Sequence, residues 1–256
     1  MIFDSHVHTE FSADSDMKAA EALRAAEQRG IGMVFTEHLD LDYPGTQEFT
    51  FSAAEYWQIY LPLRGQNLSL GVEIGMRAGY GERNCQFLAQ APFDQVIGSI
   101  HLVDGQDIYY ESSYAGCTQQ EIYHRYLSSM ARLLVEHSFV DVLGHIDYIS
   151  RYAPYAEPGI RYDVFSDEID HVLQTAVQTD TVLELNTRRL NDRLAMKELV
   201  PIYKRYYELG GRYVTIGSDA HTADAIGASF AAALDFAAGC HLLPVTFCER
   251  KMRKLQ

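Results

Sequence analysis

Ile31-Gly32-Met33-Val34-Phe35-Thr36-Glu37-His38 is a short, largely apolar run that ends in an acid and a histidine. Its length and composition suit a strand buried on both faces, because a helix of similar apolarity needs more residues. On its amino side, Ala19, Ala20, Ala22, Leu23 and Ala26 form one helical face between Met17 and Arg29, and Gly30 stops that helix. A helix, then a strand, then a polar loop opening on a histidine is one βα repeat, the unit that builds parallel sheets.

The same order extends in both directions. Upstream, Met1-Ile2-Phe3-Asp4-Ser5-His6-Val7-His8 reads as a first strand, in which alternation sets Asp4, His6 and His8 on one face and Ser5 and Val7 on the other. Histidines two apart on a strand are separated by roughly 6.6 Å of rise, so imidazoles leaning inward can share one metal ion. By itself an H-x-H tripeptide is more often a chance surface pattern. Downstream, helices predicted at 53–65, 82–91, 119–137, 165–179, 196–209 and 223–238 alternate with strands at 70–75, 95–101, 140–145, 181–186 and 213–221, and 247–255 is a basic tail. Seven strand-plus-helix units without a linker of unusual composition predict one domain over 1–256. Helix-sized connections require parallel pairing, and so many units favour a closed barrel over an open sheet. Neither G-x-G-x-x-G after the first strand nor G-x-x-x-x-G-K-[ST] anywhere is present, which removes the usual nucleotide fingerprints.

Composition narrows the partners. A net charge of −14 disfavours a nucleic-acid backbone but leaves room for a small phosphorylated ligand held by a few arginines. Ten histidines beside that acidity supply the nitrogen and oxygen donors that divalent metals use. Cys85, Cys117, Cys240 and Cys248 form no C-x-x-C pair, so neither a disulfide framework nor a structural zinc site is expected. With no leader-like amino terminus and no bilayer-spanning apolar run, the expected location is the cytoplasm, without a membrane partner. The residues do not specify an oligomeric state.

Glu73, His101, His145 and Asp219 fall at the carboxyl ends of predicted strands, and His38 and His221 lie there or just beyond. In a barrel that end carries the active site, because strand tips and their loops ring one mouth. Taken singly, His101 after Ile100 or His145 after Gly144 would more often be a hydrogen-bonded core residue. Six strands delivering metal-capable side chains to one rim reverse that weighting.

His6-x-His8, Thr36-Glu37-His38, Gly98-Ser99-Ile100-His101, Gly144-His145 and Gly217-Ser218-Asp219-Ala220-His221 together resemble, in order and from end to end, the motifs of the PHP superfamily (polymerase and histidinol phosphatase). The resemblance implies a distorted (β/α)7 barrel of TIM-barrel-like type with two to three divalent metals at the strand ends. It implies a first metal on His6, His8, Glu73 and Asp219, and a second on Glu73, His101 and His145. A third would take His38, His221 and Asp14, the last standing where many relatives carry histidine; a cap or turn role for Asp14 is the competing reading. The His/carboxylate mix suits manganese, iron or zinc better than magnesium. Length and the lack of other domains look most like a histidinol-phosphate phosphatase, which implies phosphomonoester hydrolysis by metal-activated hydroxide, with Asp219, His221 and His38 as the catalytic candidates. Two cations about 3.5–4 Å apart suit such chemistry because they stabilise both the attacking and the leaving oxygen.

A phosphate dianion also calls for guanidinium partners. Arg161, Arg189 and Arg188 are the candidates, in that order, and surface charge is the alternative for each. Asp42, Tyr43, Tyr80 and Glu111 are loop candidates for an ammonium or imidazole on the substrate. The rival functions are a PHP phosphoesterase for a nucleotide, a phosphotyrosine peptide or a nucleic-acid end; a non-catalytic PHP module; and a related-barrel amidohydrolase, for which no carbamylated-lysine candidate stands at a strand end.

Overall fold

A computed structural model describes residues 1–255. The chain runs β1 (Phe3–Val7), α1 (Ala19–Arg29), β2 (Gly32–Leu39), α2 (Ala53–Tyr60), β3 (Leu68–Gly75), α3 (Gly81–Leu88) and β4 (Gln95–Ser99). A small antiparallel pair, β5 (Leu102–Val103) and β6 (Gln106–Asp107), precedes α4 (Gln119–Glu136). Then come β7 (Val142–Leu143), α5 (Ser166–Gln178), β8 (Val182–Asn186), α6 (Arg193–Glu208), β9 (Tyr213–Gly217), α7 (Phe230–Gly239), β10 (Leu243–Cys248) and β11 (Lys251–Lys254). The main sheet is ordered β1-β2-β3-β4-β7-β8-β9-β10-β11, and every pair in it is parallel except β10–β11.

The sheet closes on itself at the carboxyl ends of its strands. Val7 bridges Ala220 in parallel, Asp219 N–H donates to His6 O and His8 N–H to Ala220 O, each at 2.9 Å. At its other end β10 continues the sheet beyond β9, and Ser5 on β1 reaches Thr246 on β10 at 3.4 Å. The barrel is therefore tight at the mouth and spread apart below, the distortion that the motif resemblance implied.

The parallel strands β1–β4 and β7–β9 are buried almost throughout because helices cover the outside, as in β3, where every residue is buried, whereas the hairpin strand β11 is exposed. Leu70, Val72, Ile74, Val96, Leu143 and Leu183 are at most 0% exposed, and burying each such side chain contributes about 1.5–3 kcal/mol. On α1 the buried positions are Ala19, Ala22, Ala25 and Ala26, and Gly30 takes the left-handed conformation (φ 65°) that closes the helix. Thr118 and Glu121 form a capping box at the start of α4.

Several boundaries differ from the sequence expectation. The predicted 53–65 helix ends at Tyr60 and becomes a 3₁₀ turn over Leu61–Leu63, where Pro62 supplies no N–H. The helix predicted at 223–238 begins only at Phe230, after left-handed Ser229 (φ 60°), because Gly227 N–H is drawn into Asp4 Oδ2 at 2.8 Å. The basic tail is a β10–β11 hairpin whose Glu249 and Arg250 both have positive φ. Two such residues in succession suit a tight hairpin turn, and this one is pinned by Asp94, whose carboxylate accepts from Glu249 N–H and whose carbonyl accepts from Arg250 N–H. No Asn-Gly or Asp-Gly marks it locally, so the sequence carried no turn signal. Asp4 also departs from the simple alternation. The β1–β2 register shifts between Asp4 and Val7, and Asp4 turns to Ser218 and Gly227 instead of joining His6 and His8.

Candidate metal centre

Glu73, fully buried near the end of β3, is the hub of the barrel mouth. Its Oε2 faces His38 Nδ1 (2.9 Å), His6 Nε2 (3.3 Å) and His8 Nε2 (3.5 Å). Its Oε1 faces His145 Nε2 (2.9 Å) and His101 Nε2 (3.4 Å) and accepts from Ser99 Oγ (2.6 Å). Asp219 Oδ1 completes the first group, 3.8 Å from His6 Nε2 and 3.5 Å from His8 Nε2. Asp219 has φ 55°, a left-handed conformation costly for a non-glycine residue and held here by its N–H bond to His6 O. Asp14 Oδ2 lies 3.2 Å from His221 Nε2 and 3.5 Å from His38 Nε2.

All nine side chains that the sequence pointed to therefore meet at one place, and the structure adds how they overlap. Three sets have donor atoms within 4.8 Å of one another: His6, His8 and Glu73; His38, Glu73 and His101; and His8, His38 and His221. His38 presents one ring nitrogen to Glu73 and the other to Asp14, so it stands between groups that the resemblance kept apart. The His8 ring is stacked between those of His38 (4.1 Å) and His221 (4.3 Å).

The donor set fits divalent cations. His6 Nε2, His8 Nε2, His38 Nδ1 and Glu73 Oε2 are buried and make no hydrogen bond, although they converge. Leaving a buried polar atom unsatisfied costs about 1–3 kcal/mol, which a shared cation offsets. Electrostatics favours the ligand-competent forms of the two carboxylates and of His8, whereas the acids around His6, His38 and His101 raise those imidazoles against burial, so that a cation there takes the place of protons. Against the effect of burial, His6, His38 and His101 hold Glu73 well below the ordinary carboxylate range, and His6 and Arg151 do the same for Asp219. Burial, with His38 and His221 beside it, holds His8 well below the ordinary imidazole range.

Carboxylates that the sequence reading left without a role orient these rings. Asp40 Oδ1 accepts from His101 Nδ1 at 2.9 Å, and Gly75 makes room for it: a Cβ there would lie 1.9 Å from Asp40 Oδ1. Glu184 Oε1 accepts from His6 Nδ1 at 2.6 Å, while its Oε2 accepts from the His145 backbone N–H at 2.7 Å and from Asn186 Nδ2 at 3.2 Å. Such partners fix the tautomer and direction of a ligating imidazole. Asp40 lies two residues after His38, just past the end of β2, a signal that was available; Glu184 inside an apolar strand was the other. Asp4 supports the centre from below: burial pushes its carboxyl up to about 6 against its bonds from Ser218 and Gly227, which tie down the segment around Asp219.

The arginines are placed differently from the expectation. Arg161, ranked first, is half exposed, pairs with Asp163 at 2.6 Å and lines a separate cavity with Leu194 and Lys197. Arg189 is committed to Asp147 (2.8 Å) and Glu198 (3.5 Å). Arg188, ranked last, reaches the site, with Nη1 3.7 Å from Asp219 Oδ2. Arg151, which the sequence reading passed over, is the buried one. Its Nη1 donates to Asp219 Oδ2 at 2.6 Å, its Nε–H has no partner, and the two acids Asp219 and Asp147 keep it protonated in spite of burial. It lies on a 3₁₀ turn, Tyr148–Arg151, close behind His145.

Arg151, Arg188, Asp219, His145 and His221 line a cleft of about 250 Å³. It shares Asp14, His38, His101, Tyr109 and Tyr148 with a larger cavity of about 470 Å³, also lined by Tyr43, Gln47, Phe49, Asp107 and Tyr110. Of the four loop candidates, only Tyr43 lines it, with its hydroxyl donating to Asp107 Oδ2 at 2.5 Å. Asp42 and Tyr80 are bonded to each other and Asp42 also to Arg83; Glu111 is exposed on the 3₁₀ turn Glu111–Tyr114 and lines neither cavity.

A parallel barrel with a nitrogen–oxygen centre for divalent metals at its strand ends is the class that fold and site define. The family model described as "PHP domain" matches residues 4–188, and the chain belongs to that family. It is 46% identical to a probable histidinol-phosphatase of Clostridium acetobutylicum over 99% of both chains, and 29% identical to a histidinol-phosphatase of Lactococcus lactis over 98% of this chain and 96% of that one. A crystal structure of histidinol phosphate phosphatase from Lactococcus lactis, in complex with zinc, L-histidinol and phosphate, matches with a TM-score of 0.93 at 27% identity, covering 99% of each chain.

Proposed function

We propose that the chain is a single-domain, divalent-metal-dependent phosphomonoester hydrolase that converts L-histidinol phosphate to L-histidinol and phosphate. The observation that carries this reading is the junction of the two cavities: a buried, partly unpaired arginine beside the metal donors, opening directly onto an aromatic and carboxylate-lined space. The near full-length likeness to histidinol-phosphatases, one of them holding zinc, histidinol and phosphate, supports the substrate.

The nine donors would hold two to three cations, on His6, His8, Glu73 and Asp219, on Glu73, His101 and His145, and on His38, His221 and Asp14; zinc, manganese and iron all suit that set. When bound, such cations supply Lewis acidity toward phosphoryl oxygens and lower the pKa of water. The residues themselves do the rest. The Arg151 and Arg188 guanidiniums, which both line the cleft, receive phosphate oxygens, and Asp219 Oδ2 keeps Arg151 aimed. Held far below the usual carboxylate range, Asp219 serves as ligand and anchor and not as the proton donor. Water adds to phosphorus and gives up a proton, the P–O bond to the substrate alcohol breaks, and the departing alkoxide takes up a proton equivalent to the one the water released. Asp107 and Asp40 offer acceptors for the ammonium and imidazole N–H groups, with Tyr43, Phe49, Tyr109 and Tyr110 as the aromatic walls.

A cytoplasmic setting fits four free cysteines, and among the described residues no helix is long and apolar enough to cross a membrane. The test is phosphate release with added zinc or manganese from histidinol phosphate, p-nitrophenyl phosphate and nucleotides. Histidinol phosphate should give the highest kcat/KM; equal rates on p-nitrophenyl phosphate would remove the substrate assignment but leave the hydrolase class. Glu73→Ala and His101→Ala should be inactive, and full activity in chelator-treated His101→Ala would remove the metal as well.

A further inference from the structure

Glu37 stands inside the Thr36-Glu37-His38 motif yet touches neither the metal donors nor the cavities. It is fully buried. Its Oε2 accepts from Thr9 N–H at 2.9 Å and from the Ser12 hydroxyl at 2.6 Å, and its Oε1 accepts from the Thr9 hydroxyl at 2.6 Å. Ser12 Oγ in turn lies 3.0 Å from His8 Nδ1 and accepts the His38 backbone N–H at 3.1 Å.

A serine hydroxyl has one hydrogen to give and two lone pairs to fill. The short contact to a carboxylate, which can only accept, takes the hydrogen. Both lone pairs of Ser12 Oγ then face donors: the His38 N–H, which has no alternative role, and His8 Nδ1, which must therefore carry its proton. That leaves His8 Nε2 with a free lone pair, directed at Glu73 and Asp219. The same hydroxyl anchors the His38 backbone, and the His8 ring is clamped between the rings of His38 and His221. A rotation of His8 thus displaces both.

We propose that Glu37 and Ser12 form a hydrogen-bond relay that fixes the ligand tautomer of His8 and, through His38, makes the first and third metal positions fill together. The proposal rests on the metal reading above. It casts Ser12 and Glu37 as positioning residues, since neither faces the substrate cavities.

The experiment measures metals per chain by elemental analysis and affinity by competition with a chromophoric chelator, with zinc alone as the probe. Ser12→Ala should lose about 10–100-fold in affinity, as expected when the partner of a ligating histidine is removed, with content falling toward one metal per chain. Glu37→Gln should stay near wild type. Its amide oxygen can accept from Thr9 N–H and Ser12, while its NH₂ donates to the Thr9 hydroxyl, which turns to Tyr60 Oη at 2.8 Å. In the zinc-loaded wild-type protein, ¹⁵N shifts of His8 should show the proton on Nδ1. Wild-type affinity and content in Ser12→Ala, a loss in Glu37→Gln as large as in Ser12→Ala, or a proton on His8 Nε2 would each overturn the relay. A wild-type protein that binds no zinc would instead remove the metal reading beneath it.

Discussion

Replacing Glu184 by glutamine changes one oxygen for an NH₂ group and leaves the shape intact, yet it should impair metal binding. Glu184 accepts from three donors: His6 Nδ1 on Oε1, and His145 N–H and Asn186 Nδ2 on Oε2. A backbone N–H cannot reverse its role, so the glutamine oxygen must occupy the Oε2 position. Its NH₂ then faces His6 Nδ1 across 2.6 Å. Either two donors oppose each other, or His6 moves its proton to Nε2, the atom 3.3 Å from Glu73 Oε2 on which the first metal position depends. An unsatisfied buried donor costs about 1–3 kcal/mol, which corresponds to about 5- to 150-fold in affinity. Gly217 leaves no slack, because a Cβ at that position would already stand 2.2 Å from Glu184 Oε1. Chelator competition with zinc, elemental analysis and circular dichroism of the same preparation form the assay. A folded Glu184→Gln protein with wild-type metal content and affinity would refute the argument, since it would mean that the polarity of this hydrogen bond does not govern His6.

Three other outcomes follow from the geometry. Arg151→Lys should reduce kcat/KM for histidinol phosphate by at least about tenfold, because a lysine ammonium presents its donors from a single atom and cannot reproduce the planar fork that spans Asp219 and a phosphate; Arg161→Ala should stay within twofold, roughly, as expected of a surface ion pair, and the reverse ranking in steady-state assays would place the phosphate at Arg161 instead. Gly75→Ala should push Asp40 off His101 and depress metal content without unfolding the chain, and an unchanged metal content would show that Asp40 can move aside at no cost. Asp94→Asn should lower Tm by roughly 5–10 °C at neutral pH, the effect of losing about 2–3 kcal/mol of charged hydrogen bonding in a chain of this size. Despite its burial, Arg64 and the Leu70 and Glu249 N–H groups hold the Asp94 carboxyl below its ordinary value of 3.8. Its folded value is the lower one, so its contribution is complete above pH 3.8 and is lost as the pH falls through the depressed value. The difference in stability between wild type and Asp94→Asn should therefore shrink below pH 3.8, and a difference that grows with acid would contradict it.

Legibility along the chain tracked local periodicity. His6, His8, Glu73, His101 and His145 sit on or just past short apolar runs, and parallel strands bring all their carboxyl ends to one side, so their destination followed from the set taken together although not from any one of them. The hairpin of β10 and β11 was read as a tail because its turn residues, Glu249 and Arg250, carry no turn preference; the conformation is imposed by Asp94, far away in sequence. Asp4 was misplaced for a related reason, since alternation fails where the β1–β2 register shifts.

The residue order by itself determined the alternating βα units, their parallel pairing and the strand ends at which histidines and acids gather, because burial and strand direction are encoded at spacings of two and of three to four residues, and the motif resemblance implied the closed barrel and the full donor set, Asp14 included. Only the tertiary structure decided which arginine stands beside the metal donors, which carboxylates orient the imidazoles and which ring nitrogen each histidine turns inward. Arginine reaches several ångströms from its backbone on loops without a period, and a buried hydrogen bond is chosen by whichever partner the closed barrel brings within about 3 Å. Arg161 and Arg151 are alike as letters; the 3₁₀ turn after His145 brings one to Asp219 and leaves the other with Asp163 at the surface.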